Sequence, residues 1–313
     1  MTSNLRLRLG TRASPLARWQ AQWVAERLAE RGVETTLIPI TTSGDERRTG
    51  PIGAIGGQGV FTKELERSLV EGEIDLAVHS LKDLPTDAVA GLVLAAVPAR
   101  GPLADVLISR NHEPFDELPR GAAVGTGSLR RRTQMWHARP DLRMEDVRGN
   151  VETRIRKLQD GLFDALVLAE AGLERLGLMG EITQRLAPSL MLPAVGQGAL
   201  GLEARANDQH TLALLATLDD ADTHRAVAAE RAMLAALRGG CLAPVGGWAR
   251  MAEGQLHLSG VVLSADGARR VFAERAGSPD EPLALGEAVA AELFSQGAGE
   301  LIEGARGGRV GLE

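Results

Sequence analysis

Apolar and polar residues alternate from the start of the chain, in Leu5-Arg6-Leu7-Arg8-Leu9, the period-two pattern of a strand with one buried face. The period then changes. Ser14-Pro15 opens a helix expected to run to about Arg31, with Ser as the cap and Pro in the first turn. Thr35–Ile40 reads as a second strand, Phe61–Glu71 as a helix and Ile74–Ser80 as an apolar strand. The grammar then repeats. Ala122–Gly127 is a strand, Ser128–Ala138 a helix, Leu142–Val147 a strand, Asn150–Asp160 a helix, Asp164–Leu168 a strand and Ala169–Leu176 a helix. Strand–helix alternation predicts an α/β architecture with parallel sheets.

Two segments, Val97–Pro102 and Leu192–Gly198, look like crossovers between the blocks, so the blocks are expected to form two hinged lobes with a cleft. Beyond about Asp219 the texture changes. A helix over Thr223–Leu237 precedes strands at Leu256–Leu263 and Arg269–Arg275 and a helix over Pro282–Ser295, a small α+β domain with a Gly/Arg-rich tail from Gly304 that is expected to fray. The expected division is residues 1–98 plus 199–218, residues 99–198, and residues 219–313. The stretch Thr42–Gly59 has no periodicity; it contains Gly56-Gly57-Gln58-Gly59, but no Gly-Lys-Ser/Thr follows, so it does not read as a nucleotide loop.

Composition narrows the class. At 313 residues, with 44% hydrophobic and 24% charged residues, the chain has the make-up of an ordinary globular protein. A single cysteine fits a reducing compartment. The first ten residues hold no apolar signal core, and no run of 18 apolar residues occurs, so a cytoplasmic protein with no membrane association is expected. Net charge is −6, against bulk nucleic-acid binding, and aromatics are only 3%, with no Tyr, against a base-stacking surface. The charge is nonetheless uneven: Arg120–Asp160 holds ten Lys+Arg against five Asp+Glu, a local excess of +5, and nine of the ten are Arg. Arg is the better residue for forked binding of carboxylates.

Candidate chemistry gathers at three kinds of place. Two strand-to-helix turns, Gly10-Thr11-Arg12-Ala13-Ser14 and Gly125-Thr126-Gly127-Ser128-Leu129-Arg130-Arg131, put hydroxyls, backbone N–H groups and Arg at a helix N-terminus. That combination suits an anion, although ordinary capping accounts for Ser14 and Ser128 equally well. The strand Ile74–Ser80 ends in His79, Ser80, Lys82 and Asp83, with Pro85 behind them, where ligands of open α/β sheets bind; a salt-bridged strand end is the alternative. The unique Cys241 sits in Gly239-Gly240-Cys241, either a small buried hydrophobe or an attachment point on an open turn. The remaining histidines show no metal spacing, and no metal is expected.

These segments together resemble the porphobilinogen deaminase (hydroxymethylbilane synthase) family. The match is carried by Thr11-Arg12-x-Ser14-Pro15-Leu16-Ala17, Phe61-Thr62-Lys63-Glu64-Leu65, His79-Ser80-Leu81-Lys82-Asp83-Leu84-Pro85, Gly125-Thr126-x-Ser128-Leu129-Arg130-Arg131, Arg148-Gly149-Asn150 with Arg154, Leu192–Gly198, and Gly239-Gly240-Cys241, in family order over about residues 5–300. The resemblance implies two periplasmic-binding-protein-like α/β lobes and an α+β C-terminal domain bearing the cysteine. It implies head-to-tail condensation of four porphobilinogen molecules with release of four ammonia, on a dipyrromethane cofactor tethered by a thioether to Cys241. Asp83 takes the role of the catalytic carboxylate beside a cationic azafulvene. Arg12, Arg130, Arg131, Arg148, Arg154 and Arg175 are implied to bind the acetate and propionate groups, with Ser14, Ser80, Lys82, Thr126, Ser128 and Gln197. A monomer is expected.

Three positions depart from the pattern: Gln58 where Lys is frequent, Gly127 where Ser is frequent, and Glu170 where small or apolar residues are common. The competing readings are a non-catalytic bilobal binder of carboxylate ligands and a nucleic-acid binder using the Arg block. An export signal and a missing thiol domain would favour the first, and salt-dependent DNA affinity the second.

Overall fold

The computed structural model describes residues 6–41, 62–240 and 243–307. Thr42–Gly59, with Gln58, and Cys241 lie outside the described residues. The chain forms two compact units, residues 1–101 with 198–224, and residues 102–197 with 225–313. The Arg-rich sheet and the C-terminal sheet therefore belong to one unit.

The first unit is built on a five-stranded sheet in the order β2-β1-β3-β10-β4, from β1 (Arg6–Arg12), β2 (Glu34–Ile40), β3 (Leu76–Ser80), β4 (Leu92–Ala96) and β10 (Leu200–Arg205). In β1 the alternation is realised: Leu7 and Leu9 are buried while Arg6 and Arg8 face water. Helix α1 (Pro15–Ala29) starts where expected; the Ser14 hydroxyl accepts from the Ala17 N–H at 3.3 Å. Its Ala21, Val24 and Leu28 join Leu7, Leu9, Leu76, Val78 and Leu202 in one core. Helix α2 (Lys63–Val70) covers the other face, where Leu65 and Leu69 meet Ile74 and Ala77.

The second unit contains another five-stranded sheet, β7-β6-β8-β5-β9, from β5 (Asp105–Ser109), β6 (Ala123–Gly125), β7 (Arg143–Glu145), β8 (Ala165–Ala169) and β9 (Gln184–Arg185). Helices α3 (Leu129–Ala138), α4 (Val151–Gln159) and α5 (Glu170–Arg175) lie between its strands in sequence, as predicted. After α6 (Gln209–Ala216) in the first unit, the chain runs through α7 (Ala221–Ala236) to an antiparallel meander of β11 (Val245–Ala252), β12 (Gln255–Leu263) and β13 (Arg270–Gly277). Helices α8 (Pro282–Ser295) and α9 (Ala298–Gly307) close the chain.

Two expectations are corrected. The five-stranded sheets are mixed: β10 runs antiparallel to β3 and β4, and β5 antiparallel to β8 and β9. The crossovers deliver these strands without a preceding βα unit, so nothing enforces the parallel direction. The expected fraying from Gly304 is also too early, because α9 continues to Gly307 and buries Leu301, Ile302 and Ala305.

Candidate functional site

In the first unit the polar ends of β1 and β3 meet the start of α1. On the α2 face of this sheet Gly10 leaves room for the core, since a Cβ there would run into Ile74 Cδ1. β3 ends at Ser80 and runs into a single 3-10 turn, Leu81–Asp83, anchored by buried Leu81, whose N–H donates to the Ala199 carbonyl at 3.1 Å. Asp83 is thereby held at the strand end. A cavity opens there, lined by Arg12, Ser14, Gln20, His79, Ser80 and Asp83 among its polar groups, with Leu16, Ala17, Thr62, Leu65 and Val78. Lys82, in the same turn, is half-buried.

Three neighbours escaped the sequence reading. Gln20 is 2% exposed, and its Nε2 donates to the Ser80 hydroxyl at 2.9 Å. Its signal was a polar residue on the apolar stripe Ala17-Ala21-Val24 of α1. Glu203 of β10 is buried, with Oε2 3.0 Å from His79 Nε2. Glu66 of α2 is buried nearby, and burial pushes its carboxyl above the ordinary range.

In the second unit the corresponding turn leaves β6. Gly125 plays the part of Gly10, since a Cβ would lie 2.6 Å from Leu166 Cδ2. Thr126 is buried and its hydroxyl accepts from the Ser128 N–H at 3.2 Å; Ser128 caps α3. Arg130 and Arg131 follow on α3, and both are turned inward onto Asp105, the first residue of β5. Arg130 Nη1 and Nη2 reach its two carboxylate oxygens at 2.7 and 3.1 Å, and Arg131 Nε reaches one at 2.7 Å. Asp105 is 0% exposed. Burial alone would raise its carboxyl, but the two guanidinium charges hold it far below the ordinary range. Two guanidiniums against one carboxylate leave the cluster at +1. The sequence reading took both arginines as ligand clamps and did not find Asp105.

Further along, Asn150 caps α4 by accepting from the Thr153 N–H at 2.9 Å, and Arg154 Nε donates to the Gly149 carbonyl at 2.8 Å. Arg148 is half-buried, and its guanidinium has no ion-pair partner among the described residues. Burial pushes the Arg175 guanidinium down to about 10. Gln197 is fully buried and donates through Nε2 to the Leu103 carbonyl at 2.8 Å. The departure at Glu170 has a local partner, since Arg185 Nε lies 2.6 Å from its carboxylate. The described residues contain no group of three or more His, Cys, Asp or Glu arranged for a metal ion, and no helix among them is long and apolar enough to cross a membrane.

Comparison with known proteins decides the family. Residues 7–213 match the family described as "Porphobilinogen deaminase, dipyromethane cofactor binding domain", and residues 224–295 match "Porphobilinogen deaminase, C-terminal domain". The chain belongs to the porphobilinogen deaminase family. Among curated members it is 50% identical to the porphobilinogen deaminase of Desulforudis audaxviator over 302 residues, covering 96% of this chain and 98% of that one. It is 49% identical to that of Acidithiobacillus ferrooxidans over the same coverage, and 49% identical to that of Xanthomonas campestris over 298 residues. Among solved structures, the periplasmic aliphatic sulphonate binding protein SsuA from Escherichia coli aligns with a TM-score of 0.39 at 16% identity, covering 75% of this chain and 71% of that one.

The first-unit cavity suits the family's dipyrromethane cofactor. A pyrrole presents an N–H donor and carboxylate side chains. The cavity offers a carboxylate at Asp83 for the first, and Arg12 with the capped start of α1 for the second.

Proposed function

We propose that this chain is a porphobilinogen deaminase, a transferase of tetrapyrrole and heme biosynthesis that joins four porphobilinogen molecules head to tail into hydroxymethylbilane and releases four ammonia. The observation that carries the reading is Asp83 at the end of β3, in one cavity with Arg12, Ser14, Gln20 and Ser80. When bound, the dipyrromethane supplies a pyrrole with a free α-carbon, and its attachment point is Cys241.

Each residue then has a task. Arg12, Ser14 and Ser80 bind carboxylate side chains, with Lys82 beside them, and Gln20 fixes the Ser80 hydroxyl. Asp83 accepts pyrrole N–H hydrogen bonds and stabilises the cation left when ammonia departs, charge stabilisation by a preorganised group in a sheltered site. Arg148, Arg154 and Arg175 bind further carboxylates, with Thr126, Ser128 and Gln197 shaping their surroundings. Arg130 and Arg131 supply the net positive charge that remains after pairing with Asp105. The enzyme is cytoplasmic and monomeric in this reading.

The test is incubation of purified protein with porphobilinogen. Ammonia release, together with an intact mass exceeding that of the chain by two porphobilinogens less two ammonias, is the expected result. Protein that binds porphobilinogen without releasing ammonia would overturn the reading in favour of a binder.

A further inference from the structure

Each condensation makes two demands, at successive steps. The C–N bond of the aminomethyl group breaks and nitrogen leaves with the bonding pair as ammonia. A C–C bond forms between the exocyclic methylene and the free α-carbon of the growing chain. That α-carbon then loses a proton, and the C–H electron pair returns to the ring. Overall, C–H and R–NH3+ become C–R and NH4+, so the α-proton is finally carried off by the ammonia. The azafulvene cation is consumed as the C–C bond forms, so proton loss is a separate, later step, and a second group can serve it while Asp83 stays beside the pyrrole N–H groups.

A second acceptor lies in the same cavity. We propose that His79 receives the proton leaving the pyrrole α-carbon and that Glu203 positions its ring; the inference rests on the reading of the chain as a porphobilinogen-condensing enzyme. His79 lines the cavity together with Asp83, one residue before the end of β3. Its Nε2 lies 3.0 Å from Glu203 Oε2, and both side chains are buried. In the tautomer in which Nε2 donates to Glu203 Oε2, the lone pair is on Nδ1, the carboxylate–imidazole arrangement of a general base. Nδ1 makes no hydrogen bond among the described residues, so it is not committed to the fold. The titratable groups packed near the ring are Glu203 from β10 and Glu66 from α2, with Lys63 close to Glu66, and Arg12 from β1 and Asp83 from the following turn line the same cavity.

The test compares holoenzymes of wild type, His79→Gln and Glu203→Gln, each assembled from porphobilinogen carrying deuterium at its free α-position so that the terminal ring bears the label, in single turnovers with the same labelled substrate, with cofactor content checked by intact mass. For His79→Gln, kcat is expected to fall roughly 10²–10⁴-fold, the range of a lost general base, with KM within about threefold. A deuterium effect larger than the wild type's should appear, because proton loss becomes limiting. Glu203→Gln should show the same signature with a smaller fall. A folded, loaded His79→Gln enzyme with unchanged kcat, or a slow one whose isotope effect equals the wild type's, overturns the proposal. If His79→Gln fails to fold or load, Glu203→Gln decides, and an isotope effect no larger than the wild type's overturns it. Wild-type protein that makes no product would instead overturn the functional reading itself.

Discussion

Replacing Asp105 with Asn keeps the shape of the side chain and removes its charge, leaving Arg130 and Arg131 facing each other without a counter-ion. Both arginines and the aspartate are buried, and three N–O distances between 2.7 and 3.1 Å join them. Breaking a buried pair from one side costs about 3–5 kcal/mol, because the remaining charge is stranded. A unit of this size loses roughly 2–4 °C of Tm per kcal/mol, so the transition of the second unit should fall by about 6–20 °C. Calorimetry, or urea unfolding followed through Trp136 and Trp248, both in that unit, reads the change. The pH dependence has a definite sign. The folded-state carboxyl is depressed, so its contribution is present above the unfolded carboxylate value of about 3.9 and is lost only as pH falls through the lower folded value. The gap between wild type and Asp105→Asn should therefore be flat from about pH 5 to 8. The triple variant Asp105→Leu, Arg130→Met, Arg131→Met replaces the charges with apolar volume and should recover much of the loss. A loss under about 1 kcal/mol in Asp105→Asn would refute the stranded-charge reasoning, which expects several times that. A triple variant as unstable as the single one would show that shape, not charge, is at issue.

The remaining predictions concern the chemistry. Asp83→Asn should lower turnover by about 10²–10³-fold, by analogy with losing one preorganised electrostatic group, and change affinity much less, with Asp83→Glu retaining more activity in single-turnover assays; equal rates for Asn and Glu would count against the charge. Cys241→Ala should yield a folded protein whose intact mass equals that of the bare chain; peptide mapping that finds the adduct on another residue would remove the assignment. Arg148→Leu should block cofactor assembly or chain growth by removing a charge-assisted hydrogen bond of roughly 1.5–3 kcal/mol while leaving Tm unchanged, since that guanidinium has no ion-pair partner among the described residues to strand. Wild-type product yield from it would show a merely solvated cation.

What the sequence made legible is what depends on neighbours along the chain. Ser14 and Ser128 were readable as caps because capping acts over three residues, and each side chain accepts from the N–H three positions on, as Asn150 also does. The alternation of β1 and the apolar run of β3 exposed their burial directly. The position of Asp83 followed from the rule that chemistry gathers at strand ends. The strands at Leu92–Ala96, Asp105–Ser109 and Leu200–Arg205 went unread, and with them the antiparallel pairings, because strand direction is decided by partners far away in sequence.

The same cause hid the electrostatics. An Arg pair on a helix N-terminus looks identical in sequence whether it faces a ligand or a carboxylate 25 residues upstream. The trace it left was Asp105 at the head of Asp-Val-Leu-Ile-Ser, an otherwise apolar strand whose five residues are all buried. A carboxylate that begins such a strand must find a cation, and the chain's densest supply of arginine lies in the block that follows. Glu203 left an equal trace in Leu-Gly-Leu-Glu-Ala-Arg, where it is buried among apolar neighbours, and its partner His79 was already marked as standing at a site of chemistry. In both places the informative residue was the acid in the strand rather than the base beside it. A cation can reach water along its own stem, whereas a short carboxylate in a sheet interior persists only where something has been placed to meet it.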